Sequence, residues 1–223
     1  HSREEVWNIL DQYARAGVRA VLALRGDPPR GAKDYNRDAD VFRHAADLVT
    51  FIREYNESGR HPDPDGFAIG VAGFPEGHPA TPNRLREMDF LKAKVDAGAD
   101  GAITQYFYNA DAYFHFVDAV RKLGVEIPII PGIMPISNYS QLRRFSESCG
   151  AEIPRWVSKR MQALGDDADG IREFGADVVA SLCQRLVAGG APALHFYTLN
   201  LAKPTQSVLS RLSERPMGAM PYR

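Results

Sequence analysis

The chain has 223 residues, of which 44% are hydrophobic and 25% are charged, and this composition is typical of an ordinary globular domain. Its formal net charge of −1 leaves no strongly basic surface for the phosphates of a nucleic acid. Cys149 and Cys183 belong to no CxxC or Cys/His cluster, so we expect no disulfide, no bound metal and a reducing, cytoplasmic compartment. No apolar run approaches the roughly 18 residues of a membrane span, so we expect no membrane contact.

Apolar runs and amphipathic segments alternate along the chain. The apolar runs are continuous, as in the strands of a parallel sheet that is covered on both faces. They predict strands at residues 18–24, 67–73, 102–107, 127–134 and 194–199. The amphipathic segments predict helices at residues 3–16, 41–57, 83–97, 111–123, 139–148, 154–163, 169–188 and 205–213. Ser2 and Glu5 are spaced as a capping box that begins the first helix. Glycines are expected to close helices at Gly17, Gly98, Gly124 and Gly189.

This alternation predicts an α/β fold, and two features favour a (β/α)8 TIM barrel over an open, doubly wound sheet. First, polar or glycine-containing segments follow the predicted strand ends, where a barrel places its active site. They are residues 25–27, 74–78, 105, 131–132 and 198–200. Second, the sequence contains neither GxGxxG nor GxxxxGK[ST], the phosphate-binding patterns of open sheets.

A closed barrel of this kind has eight strands, and the sequence predicts five of them. We therefore expect residues 1–223 to be part of a single catalytic barrel domain and to supply its strands four to eight. About three N-terminal strands, or roughly 80 to 100 residues, would then lie upstream. The chain begins at His1 rather than at a methionine and enters a helix at once, which favours the same interpretation.

Two segments at predicted strand ends could bind a ligand. Arg25, Gly26 and Asp27 place a carboxylate at the barrel mouth on a backbone that glycine allows to turn, although a solvated Arg–Asp pair at a strand exit is an equal alternative. Phe74 and His78 lie four residues apart in a proline-containing loop and could clamp a flat ligand. The alternative is a loop whose histidine only packs.

Several further side chains follow the same pattern. Glu87 and Lys94 are seven residues apart on one helix, so Lys94 could meet a phosphate, unless it is simply solvated. Gln105 could bond the edge of a heterocycle, or be satisfied by its neighbours in the barrel. Gln141 and Phe145 share a helix face, where the phenylalanine could stack on a ring or belong to the core.

Six blocks of the sequence resemble the methylenetetrahydrofolate reductase family. They are LALRGDPP at 22–29, VAGFPEGHP at 71–79, LKAKVDAGAD at 91–100, ITQ at 103–105, IPGIMPI at 130–136 and HFYTLN at 195–200. The blocks occur in the family's order and span nearly the whole chain, which is far more specific than any single short motif.

The resemblance implies a (β/α)8 barrel that binds FAD across its mouth and reduces 5,10-methylenetetrahydrofolate to 5-methyltetrahydrofolate. NADH or NADPH would deliver hydride to flavin N5 in the first stage of a ping-pong reaction, and the folate would receive it in the second. It also implies a homo-oligomer. Contacts to FAD would come from Arg25, Gly26, Asp27, His44, Ala45, Phe74, His78, Glu87 and Lys94. Contacts to folate would come from Asp27, Gln105, Gln141 and Phe145, with Asp27 as the catalytic residue.

The chain departs from the family's pattern at a few positions. His44 stands where a tyrosine is more usual, Phe90 stands where some bacterial relatives have a polar phosphate contact, and Leu201 replaces an arginine near the folate. The family's general-acid glutamate would lie upstream of His1. Two other interpretations therefore remain open: a folate- or flavin-binding homologue without turnover, and another barrel flavoenzyme of the proline dehydrogenase type.

Overall fold

The computed structural model describes residues 1–28, 31, 35–36, 39–81 and 83–214. Pro29, in the first block of the resemblance, and residues 215–223 lie outside the described residues. The elements in chain order are α1 Arg3–Arg15, β1 Ala20–Ala23, α2 Ala45–Glu57, β2 Ala68–Gly73, α3 Arg84–Asp96, β3 Gly101–Tyr106, α4 Ala110–Lys122, β4 Ile129–Ile133, α5 Tyr139–Cys149, α6 Arg155–Leu164, α7 Ala168–Ala188, β5 His195–Phe196 and α8 Ala202–Glu214.

The five strands form one parallel sheet in the order β1-β2-β3-β4-β5. Each strand pairs with the next along the chain, whereas a doubly wound sheet reverses its strand order at a switch point. The predicted fold class is therefore confirmed: the described residues form a partial (β/α)8 barrel. Ala23 pairs with Val71, and Gly73 pairs with Thr104, so the carboxyl ends of the first three strands lie at one edge.

The hydrophobic core lies between the sheet and its helices. On the helix side of β2, Ile69 and Val71 are fully buried, and they belong to the same core cluster as Val49 of α2 and Leu91 of α3. The opposite face of the sheet would line the barrel interior. It carries many small residues, such as Gly70 and those at positions 20, 68, 72 and 101. The sheet thus separates a packed layer from an accessible inner surface.

Three element boundaries differ from the sequence prediction by three or more residues, and one of them is the start of α8, at Ala202 rather than at residue 205. Helix α2 begins at Ala45 rather than at residue 41, because His44 is its N-cap, with an extended backbone, and donates its N–H to Asp47 Oδ2 at 2.9 Å. Strand β5 spans only His195–Phe196. Leu199 and Asn200 adopt φ angles of 49° and 60°, which no strand residue has, so the chain turns there instead of continuing.

The predicted helix ends are confirmed in most cases. Ser2 Oγ accepts the N–H of Glu5 at 3.1 Å, and Glu5 Oε2 accepts the N–H of Ser2 at 2.7 Å, which is the complete capping box. Gly98 follows α3 with a φ of 109°, and a Cβ there would lie 2.8 Å from Arg53 Nε. Gly189 is the C-cap of α7, as predicted, and the left-handed residue is the next one, Gly190, with a φ of 88°.

Candidate active site at the carboxyl ends of the strands

The loop after β2 holds an aromatic pair. The rings of Phe74 and His78 meet edge to face, with centroids 4.8 Å apart and an interplanar angle of 89°. The backbone N–H of Ala80 donates to His78 Nδ1 at 3.1 Å, so the proton of a neutral ring is carried on Nε2. The His78 ring therefore packs against Phe74 and, when neutral, also carries an N–H donor at Nε2.

Lys94 of α3 is buried beneath this loop. The residue is only 8% exposed. Its Nζ donates a hydrogen bond to the carbonyl of Ala72 at 2.6 Å and lies 5.9 Å from the centroid of the Phe74 ring. Burial lowers the pKa of Lys94 to about 8, and the charge of Glu87 acts in the opposite direction. This burial excludes the alternative of a simply solvated lysine.

Glu87 lies two turns before Lys94 on α3, and it is also buried, with 6% exposure. Its Oε2 is buried and has no hydrogen-bond partner among the described residues. A buried carboxylate oxygen without a donor is costly, by roughly 1–3 kcal/mol or more. The expectation that Glu87 and Lys94 share one side of the helix is confirmed, and Glu87 Oε2 has room in its hydrogen bonding for one more donor.

The start of α2 reaches α3 through a stacked pair. The rings of His44 and Phe90 are nearly parallel, at 20°, with centroids 6.1 Å apart. These are two positions at which the chain departs from the family's pattern, and they contact each other. Because Phe90 lies three residues after Glu87 and four before Lys94, the stack places His44, which Ala45 follows, against the side of α3 that carries this pair.

The segment after β1 is solvent-exposed. Arg25, Gly26 and Asp27 are all exposed, and Gly26 has a φ of 80°, which glycine tolerates best. A Cβ at Gly26 would meet no atom within 4 Å, so the glycine serves the backbone conformation there and not close packing. Since β1 and β2 are parallel neighbours, Asp27 and Phe74 leave the sheet at the same edge.

The predicted folate contacts lie farther along this edge. Gln105, near the end of β3, is half-buried, and its Oε1 accepts the N–H of Tyr106 at 3.0 Å. Gln141 and Phe145 are half-buried on α5, whose first turn is capped by Asn138 Oδ1 at 2.8 Å from the Gln141 N–H. Within the described part of the chain, no hydrogen bond joins these three residues to the group formed by Phe74, His78, Glu87 and Lys94.

A second connection was not foreseen from the sequence. Glu76, inside the loop after β2, accepts the N–H of Glu152 at 2.7 Å. This bond ties the loop to the segment between α5 and α6. Beside it lies a cleft of about 370 Å³ that opens among the helices and not on the inner face of the sheet. Its lining includes Glu76, Tyr108, Asn109, Glu152, Trp156 and Arg185.

No group of three or more histidine, cysteine or acidic side chains in the described residues could hold a metal ion. None of their helices is long and apolar enough to cross a membrane.

A sequence model of methylenetetrahydrofolate reductase matches residues 1–213. The chain belongs to the methylenetetrahydrofolate reductase family. Methylenetetrahydrofolate reductase 1 of Schizosaccharomyces pombe is 40% identical over 95% of this chain, and methylenetetrahydrofolate reductase 2 of Saccharomyces cerevisiae is 38% identical over 96%. The 5,10-methylenetetrahydrofolate reductase of Escherichia coli is 35% identical over 96% of the chain.

The chain spans about a third of the length of the two yeast methylenetetrahydrofolate reductases, at 34% and 36%, and 67% of the bacterial one. A solved structure of a Clostridium thermocellum protein, described as binding two copies of 5-methyl-5,6,7,8-tetrahydrofolic acid, is similar in fold. It superposes with a TM-score of 0.50 at 17% identity, covering 76% of this chain and 57% of that chain.

Proposed function

We propose that this chain carries the active site of an NAD(P)H-dependent methylenetetrahydrofolate reductase that uses FAD, and that residues 1–223 supply strands four to eight of one catalytic barrel domain. The observation that carries the proposal is the buried Lys94–Glu87 pair beneath the Phe74–His78 rings, at the strand edge that Asp27 and Gln105 share. Membership of the family and the names of the relatives support the reaction.

The residues present fit the chemistry of FAD. Burial disfavours the ammonium of Lys94, and a phosphate nearby would restore the stability of the charged form. The buried acceptor Glu87 Oε2 would take a hydroxyl donor, such as one from the ribose of the adenosine. Phe74, His78 and His44 offer ring surfaces for the flat portions. Bound FAD would supply the two-electron relay between the reduced nicotinamide and the folate.

The side chains at the barrel mouth would bind and orient the substrate. Because Gln105 Oε1 is occupied by the N–H of Tyr106, its Nε2 would serve as the donor toward the folate ring. The carboxylate of Asp27 would accept hydrogen bonds from the pterin and disfavour further negative charge close to the redox ring. Gln141 and Phe145 would close the opposite side, with the phenylalanine stacked on the substrate.

Arg25 and Gly26 would contact the cofactor from the exposed segment after β1. Because Arg25 is exposed, its guanidinium would reach a part of the cofactor that is itself solvated, such as a phosphate or a ring edge. We also propose a cytoplasmic homo-oligomer. The support for the compartment is that Cys149 and Cys183 are both free thiols.

Spectroscopy of the purified protein tests the function. We expect a yellow protein whose flavin absorbance bleaches on anaerobic addition of NADH or NADPH and returns when methylenetetrahydrofolate is added. A protein that cannot take up FAD would refute the cofactor assignment. Bleaching without recovery on adding the folate would favour the binding homologue without turnover, and bleaching by proline instead of by NADH or NADPH would favour the proline dehydrogenase type.

A further inference from the structure

Thr104 is a junction of three strands. It is fully buried in β3, and its Oγ1 accepts the backbone N–H of Gly132 in β4 at 2.9 Å. Its carbonyl accepts the hydroxyl of Tyr197, which directly follows β5, at 2.8 Å. The phenol therefore reaches across β4 to a strand that β5 does not pair with. One residue thus links β3, β4 and the end of β5.

The junction coincides with an irregularity in the sheet. Ile103 pairs with Ile130, but the next pair joins Tyr106 to Gly132, so β3 advances by one residue more than β4. The extra length contains Thr104 and Gln105. A bulge of this kind redirects the side chains that it contains and occurs next to active sites.

Gly132 provides the space for this arrangement. A Cβ at Gly132 would lie 2.1 Å from the carbonyl oxygen of Thr104 and 2.6 Å from Cε2 of Tyr197. Both partners of the bond would be displaced by any side chain at that position. The arrangement therefore depends together on Gly132, on the Tyr197 phenol and on the bulge in β3.

We propose that Tyr197 is a positioning residue, which holds the bulge through Thr104 and thereby aims Gln105 at the substrate. The inference rests on the proposed function in so far as Gln105 binds the folate. Tyr197 itself need not touch the substrate, because its hydroxyl is occupied by the carbonyl of Thr104. The hydroxyl remains a donor over the working pH range, since burial raises the pKa of Tyr197.

The first test is amide hydrogen exchange in the segment 101–108, measured in the purified protein. Tyr197→Phe removes only the hydroxyl, and we expect exchange in this segment to accelerate about fivefold, the factor for the loss of one hydrogen bond. Tyr55→Phe is the matched control, because Tyr55 is also buried and its hydroxyl also donates one hydrogen bond, to Asp11 Oδ1 at 2.9 Å, between α2 and α1 and outside the measured segment. Equal acceleration by both variants would overturn the proposal.

The second test is a double-mutant cycle on the KM for methylenetetrahydrofolate. Tyr197→Phe should raise KM about fivefold while Tyr55→Phe leaves it nearly unchanged, and Tyr197→Phe should add little in a Gln105→Ala background. If Tyr197→Phe raised KM by the same factor with and without Gln105→Ala, Tyr197 would not act through Gln105. Thr104→Val, which removes the second bond of the junction, should give the same pattern if the tyrosine variant is poorly folded.

The two tests separate this inference from the proposed function. A protein that neither binds nor reduces the folate would refute the function, but the exchange comparison would still show whether Tyr197 holds the bulge. Conversely, an active enzyme in which Tyr197→Phe changes neither exchange nor KM would overturn this inference alone.

Discussion

Glu76 accepts a hydrogen bond from the backbone of Glu152 at 2.7 Å, and so joins the loop after β2 to the connection between α5 and α6. Phe74 and His78 lie on either side of Glu76 in that loop. Gly150 lets the two segments approach closely at the same junction, since a Cβ there would lie 3.0 Å from Cγ of Pro79. The position of the aromatic pair therefore depends on a segment more than seventy residues away.

Removal of this bond should weaken cofactor binding. We expect Glu76→Ala to raise the Kd for FAD about fivefold, because the loop that carries Phe74 and His78 loses an anchor with a net value of about 1 kcal/mol. Glu76→Gln keeps an acceptor oxygen and should change Kd much less. Flavin fluorescence titration of both variants measures this, and similar losses in both would show that charge, and not the bond to Glu152, is what counts.

The pH dependence of FAD binding should follow Lys94. Its pKa is about 8 in the ligand-free protein, and a bound phosphate would raise it. Affinity should therefore be constant below pH 8 and fall, by at most tenfold per pH unit, above it as the free protein loses the charge. Lys94→Arg stays charged and should remove this decline, whereas Lys94→Met should bind weakly at every pH. Titration of each protein with FAD at pH 7, 8 and 9 measures these affinities. An equal decline of affinity with pH in all three proteins would show that Lys94 is not the titrating group.

The same lysine should affect the stability of the ligand-free protein in the opposite sense. The folded state releases the Lys94 proton near pH 8 and the unfolded state near 10.5, so between these values the unfolded state binds more protons. The free energy of unfolding should thus rise with pH in this window, by about 3 kcal/mol at most, relative to Lys94→Met. Urea unfolding at pH 7 and 9.5 measures the free energy of unfolding of both proteins. The stability of the wild-type protein relative to Lys94→Met should be higher at pH 9.5 than at pH 7.

Asp27 should act mainly on the folate half of the reaction. We expect Asp27→Asn to slow reoxidation of the reduced flavin by methylenetetrahydrofolate at least tenfold more than it slows reduction by NAD(P)H, since the carboxylate faces the pterin in the proposed site. Asp118→Asn, which changes another exposed carboxylate, on α4, is the control. Stopped-flow absorbance resolves the two half-reactions, and equal losses in both would contradict this role.

Gly132 should tolerate no side chain. Gly132→Ala would place a methyl group 2.1 Å from the Thr104 carbonyl, and we expect a loss of stability of about 1–3 kcal/mol or more. Gly101→Ala is the matched control in the neighbouring strand, because its Cβ would meet Pro128 at an ordinary 3.7 Å. Thermal unfolding of the two variants checks the difference. Comparable melting temperatures would show that the strands shift easily at this point.

Much of the fold could be predicted from local pattern. All five strands and all eight helices of the described residues occur where the apolar runs and amphipathic segments predict them. The errors lie at ends that depend on local hydrogen bonding or backbone turns: His44 is a cap and not part of α2, and Leu199 turns out of β5. Apolar periodicity contains no information on these competing bonds.

The candidate site could be predicted in part. The order of the strands follows from the βα alternation, and it brings Asp27, Phe74 and Gln105 to one edge, as expected. The burial of Lys94 could not be predicted, because a single lysine on a helix is usually solvated and only the packing of α3 against β2 encloses it.

The sequence by itself determined the family, the parallel sheet and the edge at which polar residues gather, since these depend on motifs and on periodicity along the chain. Only the tertiary structure decided which distant residues meet. The bond from Tyr197 to Thr104 spans 93 positions, and the stack of His44 on Phe90 spans two different helices. Such contacts arise when strands and helices pack together, and neighbouring residues in the chain carry no signal of them.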